Sequence, residues 1–243
     1  MDETYIAMWS GPRNLSTAMM RSFENRTDTV VLDEPFYAHF LKETNLDHPG
    51  REEIILKQDN NWDRIVKRIT GPIPGSKKIW YQKHMAQHNL KGCDISWVKK
   101  FQNCILIRDP KYVIQSYHKQ YPFPNEKLLG YSQQVDIIRL IENEQGLTPP
   151  IFDVEDILKN PKQALKQICI SVGIKFSEKM LKWPKGKRNS DGIWAKYWYK
   201  NVESSSEIEP FQKKHVTIEK DLIPLYDKCL IDCRSMYEKR TIP

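Results

Sequence analysis

The sequence lacks any hydrophobic run long enough to cross a membrane. A spanning helix needs about 20 consecutive apolar residues, whereas this chain of 243 residues is 28% charged and has a mean hydropathy of −0.64. The N-terminal sequence MDETYIAMW also lacks the basic segment and apolar segment that mark a signal peptide. We therefore expect a cytoplasmic protein that does not interact with membranes.

Closely spaced cysteine pairs are also missing. The five cysteines are an odd number and include no Cys-x-x-Cys pair, which argues against a disulfide framework and favours a reducing compartment. Cys229 and Cys233 stand one helical turn apart, but no neighbouring histidine completes a set of metal ligands. We expect buried thiols and no bound metal.

The charge balance is basic, with a net charge of +7 and a pI near 9.0. A basic protein favours an anionic partner, such as a polyanionic cofactor or nucleic acid, but the charge is equally compatible with an ordinary solvated surface. No linker-like segment divides the chain, and its length suits one α/β domain, so we expect a single domain over residues 1–243.

An apolar segment near the N-terminus, Tyr5 to Trp9, is too short for a helix and predicts a buried parallel strand. The turn formers Ser10 to Pro12 end it. A helix is predicted from Leu15 to about Asn25, because its apolar residues recur at i, i+3, i+4 and i+8 and share one face. Asn14 is expected to cap this helix.

A strand followed by a turn and a helix is a common way to bind phosphate, because free backbone N–H groups and the helix dipole both favour negative charge. Arg13 adds a cation to this turn, and Ser16 and Thr17 add hydroxyl donors. A second strand, Thr29 to Leu32, brings Asp33-Glu34 to the same sheet edge, because parallel strands end on the same side. The sequence therefore predicts a carboxylate beside an anion site.

Strands and helices alternate along the rest of the chain. Further strands are predicted at Lys78 to Gln82, Asn103 to Ile107 and Pro149 to Val154. Helices are predicted at Arg51 to Gln58, Asn60 to Ile69, Ile95 to Phe101, Pro110 to Lys119, Ser132 to Glu144, Asn160 to Gly173 and, with an interruption near Pro224, Ile218 to Lys239. This alternation predicts an α/β fold with a central parallel sheet flanked by helices, whose ligands bind beyond the carboxyl ends of the strands.

The first loop does not match the nucleotide P-loop pattern G-x-x-x-x-G-K-S/T. Its cation is Arg13, near the start of the loop, and no lysine comes directly before the hydroxyl residues Ser16 and Thr17. A magnesium-binding carboxylate is not evident either, because the residue directly after the strand Ile105 to Ile107 is Arg108, and Asp109 comes only after it. Both points disfavour a P-loop kinase-like or NTP-hydrolysing enzyme, which needs that metal. That class stays open as an alternative, as does a non-catalytic nucleotide- or nucleic-acid-binding protein, although no nucleic-acid module is recognisable.

Two segments resemble the sulfotransferases that use 3′-phosphoadenosine 5′-phosphosulfate (PAPS). WSGPRNLSTAMMRSF is similar to their 5′-phosphosulfate loop, in the Arg-containing version of the tyrosylprotein and bacterial enzymes, and ILIRDPKYVIQSYHK is similar to their 3′-phosphate motif. The resemblance implies a P-loop-like sulfotransferase fold, with PAPS as co-substrate, the bisphosphate PAP as product and no metal. It implies that the 3′-phosphate is held by Arg108 and Ser116, and the 5′-phosphosulfate by Arg13, Asn14, Leu15, Ser16 and Thr17.

A weaker similarity concerns the C-terminal part. KGKRNSDGIWAKYW stands where the family has a basic, glycine-containing loop that closes over the cofactor, which implies that Lys187 and Arg188 are further ligands. The aromatic residues of segment 193–199 are expected to be core residues, with one of them available to stack on adenine.

The resemblance also implies catalytic roles. Glu34 matches the proposed base of the tyrosylprotein branch, whereas His84 is the alternative base, because cytosolic sulfotransferases use a histidine on this side. His39 and His88 rank below His84 as candidates. Lys83 matches a lysine at the end of the third strand and is expected, with Arg13, to stabilise the leaving oxygen. A purely structural role for Glu34, as a helix cap or an ion-pair partner of Arg13, also stays open.

The acceptor is expected to be a small molecule with a hydroxyl or amine group. It is expected to contact the segments 36–75 and 117–150, and within them the aromatic residues Tyr117, Tyr121 and Phe123. Arg21 and Arg26 are expected on the exposed face of the first helix, without a function.

Overall fold

The computed structural model describes residues 3–121, 124–210 and 216–242. At its centre lies a five-stranded sheet in the order β2-β3-β1-β4-β5, in which every neighbouring pair is parallel. The strands are β1 Thr4–Ser10, β2 Thr29–Asp33, β3 Ile79–Met85, β4 Gln102–Ile107 and β5 Ile151–Asp153. The predicted α/β fold with a central parallel sheet is confirmed.

Helices cover both faces of this sheet. They are α1 Ser16–Glu24, α2 Tyr37–Thr44, α3 Arg51–Lys57, α4 Trp62–Ile69, α5 Pro110–His118, α6 Glu126–Leu129, α7 Tyr131–Gln145, α8 Val154–Lys159, α9 Pro161–Ser171, α10 Ala195–Trp198, α11 Lys200–Ser204 and α12 Ile223–Tyr237. The predicted helix at Ile95 to Phe101 is a 3₁₀ turn, Ser96–Lys100. The last helix begins at Ile223 rather than Ile218, because Pro224 fits only its first turn. No helix in the described ranges is both long and apolar enough to span a bilayer.

Side chains of β1 alternate between two hydrophobic layers, as the pleat of a strand requires. Ala7 and Trp9 face one layer, and Ile6 and Met8 face the other, where Met19 of α1 packs. Because both faces are covered, the strand is apolar throughout, which is the pattern of a buried parallel strand. The β1 strand therefore fixes where its C-terminal loop leaves the sheet.

Two local predictions at the sheet edge are wrong. Strand β3 continues to Met85, three residues beyond the predicted end, because Lys83 and His84 are buried inside the strand. Asn14 does not cap α1: Leu15 occupies the N-cap position without a side-chain hydrogen bond. The Asn14 amide is buried instead and donates to the Leu106 carbonyl of β4 at 3.3 Å, so it ties the loop to the neighbouring strand.

The expected exposure of Arg21 and Arg26 is also wrong. Arg21 is 1% exposed and forms an ion pair of 2.6 Å with Asp191, while Arg26 pairs with Asp28 at 2.9 Å. Segment 175–191 supplies distant partners for both side chains: Asp191 binds Arg21, and the Lys175 carbonyl accepts from Arg26 at 2.8 Å. Both arginine side chains are thus buried, and each is paired with a carboxylate.

We predict that Arg21→Ala lowers the free energy of unfolding by about 3–5 kcal/mol, because it leaves the Asp191 carboxylate buried without its partner. Urea denaturation measures this loss. Lys162→Ala removes the exposed pair between Lys162 and Glu178 and should cost less than about 1 kcal/mol. Equal losses in the two variants would contradict a stabilising role for the buried pair.

Candidate active site

A cavity of about 670 Å³ opens at the carboxyl end of the sheet. It is bordered by the loop after β1, by the ends of β2, β3 and β4, and by α5. Most of the predicted site residues line it together, namely Arg13, Asn14, Leu15, Ser16, Thr17, Glu34, Lys83, Arg108 and Ser116. His84, Lys187 and Arg188 are not among its lining residues.

The first end of the cavity is cationic. Arg13 donates from Nε to the Ser116 hydroxyl at 2.8 Å, and Arg108 donates from a terminal nitrogen to the Arg13 carbonyl at 2.8 Å. The nine-residue helix α1 begins immediately after this loop, so its N-terminal backbone groups add a favourable environment for an anion. Residues that are 95 and 103 positions apart in the sequence thus meet at one cationic surface.

The two arginines are adjacent and lack acidic partners. Partial burial lowers the pKa of Arg13, and the positive charge of Arg108 lowers it further; burial also lowers the pKa of Arg108. Within the described residues no carboxylate lies at salt-bridge distance from either, and the neighbouring Asp109 pairs with Lys111 at 3.0 Å instead. Two like charges held side by side favour a bound polyanion.

The second end of the cavity contains a buried lysine with three oxygen partners. Lys83 donates from Nζ to Asp33 at 3.0 Å, to Glu34 Oε1 at 2.6 Å and to the Tyr199 hydroxyl at 2.6 Å. The Tyr199 hydroxyl in turn donates to the second oxygen of Asp33 at 2.7 Å. These contacts hold the Glu34 carboxylate beside the end of β3.

Burial and charge act in opposite directions on this cluster. Burial raises the pKa of Glu34 to about 7, with Lys83 opposing the shift and Asp33 adding to it. Burial pushes the pKa of Lys83 downward, but the charges of Asp33 and Glu34 outweigh it and hold that pKa well above its ordinary value. Lys83 is therefore charged at neutral pH, and the pKa of Glu34 lies in the range that suits a general base at neutral pH.

His84, the alternative base that the resemblance implies, does not line the cavity. Neighbouring residues of a strand point to opposite sides, so Lys83 reaches the cavity and His84 packs against Trp9 and Trp97, with ring centroids at 4.7 and 5.3 Å. Burial lowers the pKa of His84 to about 3. The geometry gives no support to His84 as the alternative base.

A different histidine, His88, lines the cavity. It stands in the 3₁₀ turn Ala86–His88 that follows β3, and its Nε2 lies 3.9 Å from Glu34 Oε2. The sequence ranked His88 below His84 as a base, because β3 was predicted to end at Gln82 rather than at Met85. A strand extended to Met85 would have marked His88 as the histidine just beyond its carboxyl end.

Lys187 and Arg188 lie outside the cavity lining, so their contact with a cofactor stays a prediction. Arg188 donates from its backbone to Asp191 at 2.8 Å and from its guanidinium to the Pro184 carbonyl at 2.9 Å. Asp191 is itself held by Arg21, so this loop packs along α1. The part of the C-terminal region that borders the cavity is segment 198–210, with Trp198, Asn201 and Ser205 among its lining residues.

Both predicted acceptor-side segments contribute to the wall near Glu34. Tyr37, Phe40 and His48 come from 36–75, and Tyr117 and Leu128 come from 117–150. Contact of these residues with an acceptor stays a prediction, and the predicted contact Phe123 lies outside the described residues. In the part of the chain that the structure describes, no group of three or more His, Cys, Asp or Glu side chains is arranged to hold a metal ion.

A parallel α/β sheet with a cationic loop, an arginine pair and a carboxylate at one edge defines an anion-binding α/β protein. The sequence model of the sulfotransferase domain matches residues 4–223. The chain belongs to the sulfotransferase domain family.

Solved sulfotransferase domains share this fold. The domain of the Synechococcus PCC 7002 olefin synthase aligns with a TM-score of 0.55 at 15% identity, over 93% of this chain and 94% of that one. The domain from the curacin biosynthetic pathway aligns with a TM-score of 0.53 at 16% identity, over 100% and 99% of the two chains. At these identities the similarity concerns the fold alone.

Two curated proteins of Arabidopsis thaliana have higher sequence identity. Branched-chain-amino-acid aminotransferase-like protein 1 is 35% identical over 229 residues, which are 91% of this chain and 41% of that protein. Branched-chain-amino-acid aminotransferase-like protein 2 is 33% identical over 247 aligned residues, 98% of this chain and 44% of that protein. The chain thus spans less than half the length of these relatives.

We predict that inorganic pyrophosphate raises the melting temperature of the wild-type protein and that Arg108→Ala removes most of this shift. A ligand that binds only the folded state must stabilise it, and Arg108 supplies half of the arginine pair. Differential scanning fluorimetry, with each variant compared with its own ligand-free sample, measures the shift. The exposed Arg139 of α7 provides the control: Arg139→Ala should respond as wild type does. An equal shift in Arg108→Ala would place the anion elsewhere.

Proposed function

We propose that the protein transfers a sulfuryl group from PAPS to a hydroxyl or amine of a small molecule, by direct in-line transfer without a metal. One observation carries this proposal: the Arg13–Arg108 pair and the Glu34 carboxylate line the same cavity at the carboxyl edge of the sheet. Membership of the sulfotransferase domain family supports it.

The residues at the cationic end fit the phosphate groups of PAPS. Arg108 and Ser116 would hold the 3′-phosphate, and the loop 13–17 with the start of α1 would hold the 5′-phosphosulfate. The arginine pair, without acidic partners among the described residues, supplies charge that a polyanion neutralises. When bound, PAPS supplies the activated sulfuryl group.

The residues at the other end supply the base and the charge that transfer requires. Glu34 would accept the proton of the acceptor as the acceptor atom bonds to sulfur and the bond from sulfur to the leaving phosphate breaks. Lys83 and Arg13 line the same cavity and would stabilise negative charge on the leaving oxygen. The transfer needs no covalent intermediate with the protein.

We predict that adenosine 3′,5′-bisphosphate raises the melting temperature more than ATP does, with or without magnesium. The reason is that the bisphosphate carries the 3′-phosphate that Arg108 and Ser116 are proposed to hold, and ATP does not. Thermal denaturation with each nucleotide measures the difference. Stabilisation by ATP with magnesium and none by the bisphosphate would favour the kinase-like alternative, and no response to either nucleotide would remove the PAPS proposal.

We predict that Glu34→Gln keeps the stabilisation by adenosine 3′,5′-bisphosphate but loses transfer by about 10²- to 10⁴-fold, the usual contribution of a positioned general base. The wild-type rate should rise with pH through about 7, where Glu34 loses its proton, and the residual rate of the variant should lack this rise. Transfer of ³⁵S from labelled PAPS, assayed over a panel of phenols, alcohols and amines, measures both effects.

Glu144→Gln is the matched control, since Glu144 is exposed on α7. It should keep both the wild-type rate and the wild-type pH profile. Wild-type turnover in Glu34→Gln would assign the base to another group.

A further inference from the structure

The two carboxylate oxygens of Glu34 have different surroundings. Oε1 accepts a hydrogen bond from Lys83 at 2.6 Å, while Oε2 faces His88 Nε2 across 3.9 Å. A distance of 3.9 Å is too long for a hydrogen bond between the two groups. One atom of a third group can form hydrogen bonds with both of them at this separation, because it can lie about 2.7–3.2 Å from each.

His88 is held rigidly in a neutral form. Its ring stacks on Tyr37 at 4.7 Å, nearly parallel, and on Phe40 at 4.8 Å. Burial lowers the pKa of His88 well below its ordinary value, with the charges of His48 and Lys83 adding to the effect. The ring is therefore uncharged at neutral pH, with one nitrogen as a donor and the other as an acceptor.

The neighbouring carboxylate determines which nitrogen carries the proton. Nε2 faces the negative Oε2 of Glu34, which favours the tautomer with hydrogen on Nε2. The other nitrogen, Nδ1, is buried and has no hydrogen-bond partner among the described residues. The space between Glu34 and His88 is thus bordered by an acceptor on one side and a donor on the other.

A group that attacks sulfur from this space must meet three demands at once. It must donate to Glu34 Oε2, accept from His88 Nε2 and still have a lone pair for the new bond. A hydroxyl oxygen has one hydrogen and two lone pairs and meets all three demands. A neutral amine nitrogen has a single lone pair, which it cannot give both to His88 and to sulfur.

On the basis of the proposed function, we propose that Glu34 and His88 together select a hydroxyl group as acceptor and that the substrate is an uncharged alcohol or phenol rather than an amine. In the transfer, the acceptor O–H proton passes to Glu34 Oε2. The oxygen forms its bond to sulfur as the bond from sulfur to the leaving bisphosphate breaks, and His88 keeps its proton and orients the attacking oxygen. His88 is then a specificity-determining residue in contact with the acceptor.

The surrounding wall agrees with an uncharged acceptor. The described cavity residues of the acceptor-side segments include no carboxylate; they are Tyr37, Phe40, His48, Tyr117, Lys119, Gln120 and Leu128. Glu34 already has the positive charge of Lys83 at 2.6 Å, so an ammonium group would gain little from it. Both points disfavour a cationic amine independently of the lone-pair argument.

The test compares 2-naphthol with 2-naphthylamine, which have the same aromatic body and are both uncharged near neutral pH. Each is assayed with ³⁵S-labelled PAPS, and the ratio of the two turnover rates is measured in wild type, His88→Phe and His88→Gln. His88→Phe keeps a ring to stack on Tyr37 but removes the donor, whereas glutamine can place an N–H near the position of Nε2. Release of sulfate from PAPS in water alone is measured in parallel, because water is itself a hydroxyl acceptor.

We expect wild type to prefer the naphthol, and His88→Phe to lower both the naphthol-to-naphthylamine ratio and the release to water by about tenfold or more, the effect of about one lost hydrogen bond. His88→Gln should recover most of the ratio. Stabilisation by adenosine 3′,5′-bisphosphate should be unchanged in both variants, which separates this result from a loss of folding.

His118→Gln, a substitution of a partly exposed histidine that does not line the cavity, should behave as wild type. A wild-type preference for the amine, or an unchanged ratio and unchanged release to water in His88→Phe, would overturn this inference while sulfuryl transfer itself stands. Failure of wild type to bind the bisphosphate, or to transfer the sulfuryl group to either naphthalene acceptor or to water, would overturn the proposed function instead.

Discussion

The buried ammonium of Lys83 is the constraint on which the arrangement of the site depends. An unpaired charge in a protein interior is strongly unfavourable, and Lys83 is 1% exposed. Its partners Asp33 and Glu34 come from the end of β2, and Tyr199 comes from between α10 and α11. The same contacts therefore fix the end of β2 against β3 and attach the C-terminal segment that borders the cavity.

This cluster also explains why the two ends of the cavity differ in charge. Glu34 is paired with Lys83, and Arg13 donates to Ser116, so the open structural alternative of an ion pair between Glu34 and Arg13 is not observed. Had that pair formed, the anion site would have lost one of its cations. Because the Glu34 carboxylate is paired with Lys83, the Arg13–Arg108 pair stays without a carboxylate partner, and a carboxylate and a cationic site coexist in one cavity.

The sequence predicts the features that depend on residues close together in the chain. The strand, loop and helix of residues 5–25 were predicted from apolar spacing and turn residues, and the meeting of Arg108 with the first loop followed from the common edge of parallel strands. The burial of Arg21 could not be predicted, because its partner Asp191 lies 170 residues away and leaves no trace in the local pattern. His88 was ranked below His84 for a related reason, because the sequence predicts that the strand ends before Lys83 unless the buried partners of Lys83 are known.

Glu34 has an energetically unfavourable backbone conformation. Its φ is 39°, a left-handed conformation that residues other than glycine rarely adopt and that persists only where surrounding contacts impose it. Two hydrogen bonds with Lys83 stabilise this conformation. The Lys83 carbonyl accepts from the Glu34 backbone N–H at 3.0 Å, and the Lys83 ammonium donates to the Glu34 side chain. A carboxylate that served only to neutralise Lys83 would not need this conformation, because Asp33 already provides a buried negative charge. The strained conformation is explained if Glu34 must direct its second carboxylate oxygen, Oε2, into the cavity opposite His88.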